Sequence, residues 1–301
     1  MREQAIAIQE SMELETLPER PKIWTSLWKD KSALLGCVIL LSVVVMAVFA
    51  PLLAPMDPQA QLLDRNLKPP MWSDGQQIYL LGTDHLGRDF LSRLIYGARI
   101  SLLVGFFAVL LTGCFGLCVG LVAGYFGGKV DFLLMRLVDL VLSFPFILLA
   151  LATIAIVGPS LVVLILVMSM RIWVIYARVV RGEVLTLREQ EFVQAARSIG
   201  GSHLRIIARH ILPNVLAPVI IIASLYLGRM IIIEAGLSFL GLGVPPPTPT
   251  WGGLLSDGKV HLYTSWWVVT LPGLAITVTV LGANLVGDWL RNVLDPRLKS
   301  L

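Results

Sequence analysis

Charged side chains are scarce in this sequence of 301 residues. Aspartate, glutamate, lysine and arginine together make up 15%, whereas a soluble domain carries about a quarter. Hydrophobic residues account for 56%, and the mean hydropathy is +0.79. This balance excludes an ordinary soluble domain and indicates a membrane protein with several crossings. The net charge of +4 comes from short loops, so nucleic acid is not an expected partner.

Cysteine and histidine are also few. The three cysteines, Cys37, Cys114 and Cys118, lie in apolar runs, where buried packing is the default. Their spacing suits neither a disulfide framework nor a zinc site. The four histidines fall on both sides of the membrane in the topology derived below, so they are not expected to converge on one metal ion; they are His85, His203, His210 and His261.

A partial match to the phosphate-binding loop begins at Gly253 and, after four intervening residues, continues with Gly258 and Lys259. A functional loop needs Ser or Thr after the lysine to hold magnesium, and it lies between a strand and a helix. Val260 occupies that position, so we predict no ATP site here. The chain is predicted not to be an enzyme, with no catalytic residue, no metal and no cofactor of its own.

The apolar residues are concentrated in six stretches. Each is close to or above the 20 or so residues that a helix needs to cross the hydrocarbon core. Gly158-Pro159-Ser160 separates the third from the fourth, as expected for a tight turn between antiparallel helices. The predicted fold class is therefore an all-α polytopic membrane protein whose spans cover 33–55, 100–126, 131–157, 160–178, 215–243 and 266–290.

The lysines and arginines predict the orientation of these spans, since cytoplasmic loops carry an excess of them. With a cytoplasmic N-terminus, seventeen of the twenty-four lie inside: five before residue 32, two at positions 129 and 136, seven from 171 to 209 and three after 290. Six lie outside. We therefore expect a multi-pass protein of the cytoplasmic membrane with both termini inside. Residues 1–32, 179–213 and 291–301 are then cytoplasmic, and 56–99 and 244–265 are outside.

The outer segment before the second span has a helical pattern of its own. Leu86, Phe90 and Leu94 recur one turn apart, which predicts a helix lying in the membrane interface. A short amphipathic lead-in to the span is the alternative. We take residues 56–99 as an extracytoplasmic segment and 100–290 as the main transmembrane domain.

Glycine recurs every fourth residue along the second span, at Gly116, Gly120 and Gly124. A face of small residues permits close helix packing. One such packing contact would be between two membrane subunits.

A cationic segment, residues 194–214, interrupts the apolar runs. Gly200-Gly201 is expected to end one short helix, and Ser202 to cap a second. The first helix has an apolar face formed by Phe192, Ala195, Ala196 and Ile199. The second presents two arginines one turn apart, Arg205 and Arg209. Two interpretations follow from the residues alone: a knob that docks on a soluble partner, or an interfacial helix held by anionic lipid headgroups.

The spacing in this segment resembles the cytoplasmic Glu-Ala-Ala loop of ABC-importer permeases. Ala195-Ala196, three residues to Gly200 and then Leu212-Pro213 match the pattern, whereas Gln194 replaces its glutamate and His210 its isoleucine. The segments 81–102, 236–258 and 287–298 are similar to the C-type permease of dipeptide and oligopeptide importers. The resemblance covers the chain from about residue 24 to its C-terminus.

The resemblance implies a type I ABC importer permease fold and a mechanism of alternating access. It assigns ATPase coupling to the loop, at Gln194, Ala195, Ala196, Gly200, Gly201, Arg205, Arg209, His210 and Pro213. The implied partners are a homologous second permease, two cytoplasmic ATPases that bind ATP and magnesium, an extracytoplasmic peptide-binding protein and membrane lipids. Nickel complexes, glutathione or another small solute are alternative substrates, and an ion-driven secondary transporter or a structural scaffold is an alternative class.

Ionisable side chains within apolar runs mark functional positions, because placing them in hydrocarbon is costly. Arg229 and Glu234 lie in the fifth stretch, and Arg136 and Asp139 in the third. Arg229 and Glu234 are about 140° apart around a helix, so they are not expected to pair with each other. We expect these four to line the translocation pathway; structural contacts with a partner permease are the alternative.

Overall fold

The computed structural model describes residues 23–294. The remainder of the predicted cytoplasmic N-terminal segment and C-terminal tail, residues 1–22 and 295–301, lies outside the described residues. The helices are α1 (Ile23–Lys29), α2 (Lys31–Val48), α3 (Ala50–Leu53), α4 (Phe90–Phe126), α5 (Gly128–Ser143), α6 (Phe146–Val157), α7 (Leu161–Leu187), α8 (Glu191–Ser198), α9 (His203–Ile206), α10 (Leu212–Phe239), α11 (Trp251–Gly258) and α12 (Trp267–Leu294).

The prediction of an all-α membrane protein with about six spans is confirmed. Five helical stretches are long and apolar enough to cross a membrane, and a sixth span results if the bent pair α5 and α6 counts as one. The bundle has two ends. We call the end that carries residues 188–213 the α8 end, and the end that carries residues 54–89 and 240–266 the α11 end. The α11 end also holds a small antiparallel hairpin of β1 (Trp72–Ser73) and β2 (Ile78–Tyr79).

The second span is longer than the hydrophobic run predicts. Helix α4 begins at Phe90, and the Asp89 carboxylate caps it by accepting from the backbone N–H of Ser92. The amphipathic stretch is therefore a lead-in continuous with the span, and it forms no separate helix in the interface. Phe90 and Arg93 are buried, since the α11 end folds over this first turn.

The third span is broken. Helices α5 and α6 meet at an angle of 86°, because Pro145 caps α6 and its ring excludes the helical conformation for the residue before it. The guanidinium of Arg171 on α7 donates to the carbonyl oxygen of Phe144, 3.1 Å away. This bond satisfies a carbonyl that the end of α5 leaves without a helical partner.

The glycines of α4 pack against α7 within this chain. A Cβ on Gly120 would lie 2.7 Å from both the carbonyl oxygen of Ala177 and the Cβ of Val180, and one on Gly124 would lie 2.7 Å from the Cβ of Val184. Such distances leave no room for a side chain. The small-residue face that the sequence indicated therefore joins two helices of one subunit, not two subunits.

The cysteines depart from the expectation of buried packing. Cys114 and Cys118 are exposed on the surface of α4, and Cys37 is half-buried. All three thiols are free. Helix α4 turns its glycines towards α7, so the thiols between them face outward.

Candidate coupling segment and ionisable residues of the spans

The cationic segment folds as two short helices separated by a glycine turn, as predicted. Gly200 adopts a φ of +80°, a left-handed conformation that side-chain-bearing residues rarely adopt. Gly201 donates its N–H to the carbonyl oxygen of Ala196 at 3.0 Å, and a Cβ there would lie 2.6 Å from the same oxygen. Each glycine is therefore required for a different reason: Gly200 for its backbone conformation and Gly201 for its lack of a side chain.

The second short helix is continuous with a span. Residues 203–239 form one helical rod of 37 residues, in which a π-helical turn over Ile207–Ile211 joins α9 to α10. Pro213 fits near the N-terminus of α10, where a missing N–H is tolerated. If α9 is displaced, the end of the membrane-spanning helix α10 that is continuous with it moves as well.

One face of this segment packs onto the ends of α4 and α7. The shared core joins Val193 of α8 and three residues of the segment to residues of the neighbouring helices. Its members are Val193, Ala196, Ile206 and Ile211 with Leu121, Tyr125, Val180, Val184 and Val215. Val193 and Ile211 have no exposed surface. The segment is thus fixed to the bundle by its own apolar residues.

The opposite face is apolar and exposed. Ile199 is 86% exposed, Leu204 78% and Phe192 46%. Ala195 also points outward, whereas Ala196, which the sequence pattern placed on the same face, points into the bundle. Arg205 and Arg209 are exposed beside this surface. We call this set, Phe192, Ala195, Ile199, Leu204, Arg205 and Arg209, the docking face.

The other predicted coupling residues make local contacts. The amide of Gln194 donates to the backbone carbonyl of Glu189 at 3.1 Å, so it closes the turn before α8. The ring of His210 lies 6.5 Å from that of Phe192, and its carbonyl accepts from Asn214. Ser202 does precede α9, but its hydroxyl makes no capping hydrogen bond.

A contact that the sequence did not reveal joins this segment to α4. The hydroxyl of Tyr125 lies 2.9 Å from Nδ1 of His203, and Arg197 stacks over the Tyr125 ring, 5.7 Å from its centroid. Tyr125 is 78 residues from His203 in the chain, and no local pattern relates the two. A histidine at the first position of a cationic helix was the only available signal.

The ionisable residues of the spans are dispersed. Glu234 is fully buried, and its carboxylate accepts from the hydroxyls of Ser238 at 2.7 Å and Ser101 at 3.2 Å. Ser101 in turn accepts from the backbone N–H of Trp251 at 3.1 Å. A carboxylate thus ties α4, α10 and α11 together at the α11 end.

Arg229 lies on a different face of α10, as the angular separation predicted. Its side chain is exposed, and its guanidinium lies 5.3 Å from the centroid of the Tyr226 ring. Among residues 23–294, no carboxylate lies within ion-pair distance of it. The hydroxyl of Tyr226 lies 3.4 Å from the same guanidinium.

The two remaining candidates are exposed on α5. Asp139 pairs with Arg178 at 2.8 Å, and Arg136 lies over the ring of Phe132. Asp131, near the start of α5, forms a two-pronged ion pair with Arg181. Both pairs join α5 to α7.

Two further sequence features can be placed. Residues 251–258, which contain most of the partial phosphate-loop match, form helix α11 itself, and residues 240–250, which lead into it, form no strand. His85 and His261 stack at the α11 end with ring centroids 6.2 Å apart, while His203 is at the other end. Within residues 23–294, no group of three or more side chains is arranged to hold a metal ion.

Comparisons with known proteins agree with this architecture. The profile of the family described as "Binding-protein-dependent transport system inner membrane component" matches residues 116–300. A second profile, "N-terminal TM domain of oligopeptide transport permease C", matches residues 22–70. A solved structure of the MetNI methionine ABC transporter in inward-facing conformations aligns with a TM-score of 0.55 at 21% identity. It covers 67% of this chain and 96% of that one, which confirms the type I importer permease fold.

Curated relatives extend over almost the whole chain. The dipeptide transport system permease protein DppC of Escherichia coli K12 is 46% identical over 280 residues, which is 93% of each chain. The di/tripeptide transport system permease protein DppC of Pseudomonas aeruginosa is 44% identical over 93% of this chain and 92% of its own. The chain therefore belongs to the family of binding-protein-dependent transport permeases, with the N-terminal domain of the oligopeptide permease C type.

Proposed function

We propose that this chain is the transmembrane permease subunit of an ATP-driven importer of dipeptides or short oligopeptides. The names of the similar proteins support this substrate class, since they are dipeptide or di/tripeptide permeases in several bacteria. The relatives named above do not favour nickel complexes or glutathione. The chain supplies the passage, and the energy comes from separate subunits.

The observation that carries the proposal is the docking face. Three large apolar side chains stand exposed on it beside two arginines, and the backbone beneath is fixed to α4 and α7. Large apolar groups held at the surface by a packed scaffold are typical of an interface with another protein. An ATPase that grips this face would act directly on the rod formed by α9 and α10.

The proposal includes a topology and partners. Both termini and the α8 end lie in the cytoplasm, and the α11 end lies outside. Two ATPase subunits bind ATP and magnesium, and one docks on Gln194–Pro213 of this chain. A homologous second permease completes the passage within the lipid bilayer, and a peptide-binding protein delivers substrate to the α11 end.

We further propose that Arg229 lines the passage. An exposed guanidinium on a span is costly against lipid, and the carboxyl end of a peptide would compensate it with paired hydrogen bonds. Arg136 and Asp139 are exposed on α5, and we propose that they line the passage as well. Glu234 is enclosed by its own chain, so it contacts substrate only when α11 is displaced. Unchanged uptake kinetics in Arg229→Gln would count against its part of this proposal.

The test of coupling is Gly200→Pro. Proline fixes φ near −65°, which the observed φ of +80° does not permit, so the turn between α8 and α9 is lost. Asparagine tolerates this conformation, and Gly200→Asn is the matched control. We expect both variants to insert in the membrane, and only the proline variant to hydrolyse ATP without importing peptide. Normal peptide import by Gly200→Pro would overturn the coupling assignment.

A further inference from the structure

We infer that the hydrogen bond between Tyr125 and His203 is the positioning contact through which the coupling segment moves α4. This inference rests on the proposed function, because it assigns a route for motion that begins at the docking face. Neither residue touches substrate or nucleotide. Each acts through the helix end at which it lies. Tyr125 is the penultimate residue of α4, and His203 is the first residue of α9.

The contact is directional and joins a buried ring to an exposed one, because His203 is exposed and Arg197 lies over the Tyr125 ring. Tyr125 is 5% exposed and belongs to the core that holds the segment. Its hydroxyl lies 2.9 Å from Nδ1 of His203, and the two rings meet edge to face with centroids 5.6 Å apart. The apolar core holds the segment against the bundle but is non-directional, whereas a hydrogen bond weakens steeply as its geometry is lost. The bond therefore fixes the register between the segment and α4.

Helix α4 is well placed to carry a displacement onward. Its glycines are packed against α7, and Arg188 at the end of α7 donates to the carbonyl oxygen of Gly124, 3.1 Å away and one residue before Tyr125. Helices α4 and α7 thus form one unit at this end. A shift of His203 is passed to both helices through Tyr125, while α10 moves as the continuation of α9.

The chemistry of the bond defines the variants that test it. The hydroxyl of Tyr125 donates to Nδ1 of His203 when the imidazole proton is on Nε2, and it accepts from Nδ1 when the proton is there. Tyr125→Phe removes only the hydroxyl and keeps the ring under Arg197. His203→Ala removes the imidazole partner. His203→Asn is the rescuing control, because its side-chain amide offers both an acceptor and a donor near the position of Nδ1.

The experiment uses the complete complex in liposomes, with its ATPases, second permease and binding protein, and measures ATP hydrolysed per dipeptide imported. Loss of one hydrogen bond between moving parts should raise this ratio about three- to tenfold in Tyr125→Phe and in His203→Ala. The double variant should be no worse than either single one. His203→Asn should stay within about twofold of the wild-type ratio.

Three outcomes would overturn the inference. In the first, the ratio remains at the wild-type value in both single variants. In the second, import and hydrolysis fall in parallel, as a purely structural role requires. In the third, the two effects add in the double variant, which would show that the residues act separately. Failure of the proposed function is distinguishable, because Gly200→Pro would then import peptide normally whatever Tyr125→Phe does.

Discussion

The hydroxyl of Ser101 donates to the carboxylate of Glu234 across 3.2 Å, although the two residues are 133 positions apart in the chain. This bond joins α4 to α10 at the α11 end of the bundle. At the α8 end, Tyr125 joins the same α4 to α9, which is continuous with α10. Two rods of 37 residues each, about 55 Å long, are therefore tied to each other near both ends.

The close approach of α4 and α7 should tolerate no added carbon. A Cβ on Gly120 would lie 2.7 Å from the carbonyl oxygen of Ala177, so Gly120→Ala forces the helices apart and should lower the free energy of unfolding by about 1–3 kcal/mol. Gly182 on α7 has open space around it, and Gly182→Ala should be neutral or stabilising by up to about 1 kcal/mol. Thermal unfolding in detergent measures both. Equal shifts would contradict the packing that we describe.

The two ion pairs between α5 and α7 should differ in their contribution to stability. Arg181 donates to both carboxylate oxygens of Asp131 and is less exposed than Arg178. In the pair of Arg178 with Asp139, each side chain is about half exposed. We expect Arg181→Ala to cost about 1.5–3 kcal/mol and Arg178→Ala at most about 1 kcal/mol. The free energy of unfolding of each variant tests this order. A larger loss in Arg178→Ala than in Arg181→Ala would contradict it.

Asp257 at the α11 end should make stability depend on pH. Burial raises the pKa of its carboxyl above the ordinary value, an effect that the nearby His85 and Arg88 charges oppose. The folded state therefore retains a proton that the unfolded state has released, and this contribution is lost as pH rises through the raised pKa. We expect Asp257→Asn to melt above the wild type at pH 7, and the two to converge below about pH 4.

Asp74 in the β-hairpin provides the opposite case. Hydrogen bonds from the backbone N–H groups of Gln77 and Gln76, together with Arg65, lower the pKa of Asp74. Its contribution is present at neutral pH and is lost as pH falls through the lowered pKa. Asp74→Asn should therefore melt below the wild type at pH 7. Melting curves of both variants that show the same pH trend would refute these assignments.

Hydropathy and charge were sufficient to predict most of the architecture. The turn at Gly158 has a positive φ and separates α6 from α7 as predicted, and the glycine pair at 200–201 separates α8 from α9. Both features are local: a run of apolar residues or a residue that favours one backbone conformation. Local signals of this kind survive in any tertiary context.

Features that depend on distant residues were not predictable in the same way. We predicted an unbroken third span over 131–157, whereas α5 and α6 meet at an angle of 86° beside Pro145. A proline favours an interruption but does not specify its angle. The hydrogen bonds of Glu234 come from Ser101 and Ser238, and those serines have no distinguishing pattern in the sequence. The sequence could indicate that a buried carboxylate is special, but only the fold reveals that its partners belong to the same chain.

Site-directed cross-linking tests the central claim, that the docking face binds an ATPase. Cys37, Cys114 and Cys118 are first replaced by alanine, and Ile199→Cys then places a thiol at a site that is 86% exposed. Val260→Cys, at a site 74% exposed at the α11 end, is the control. In the assembled complex, a thiol-to-amine cross-linker should join position 199 to an ATPase subunit and should join position 260 to no ATPase subunit. An ATPase adduct at position 260, or no ATPase adduct at position 199, would contradict the account.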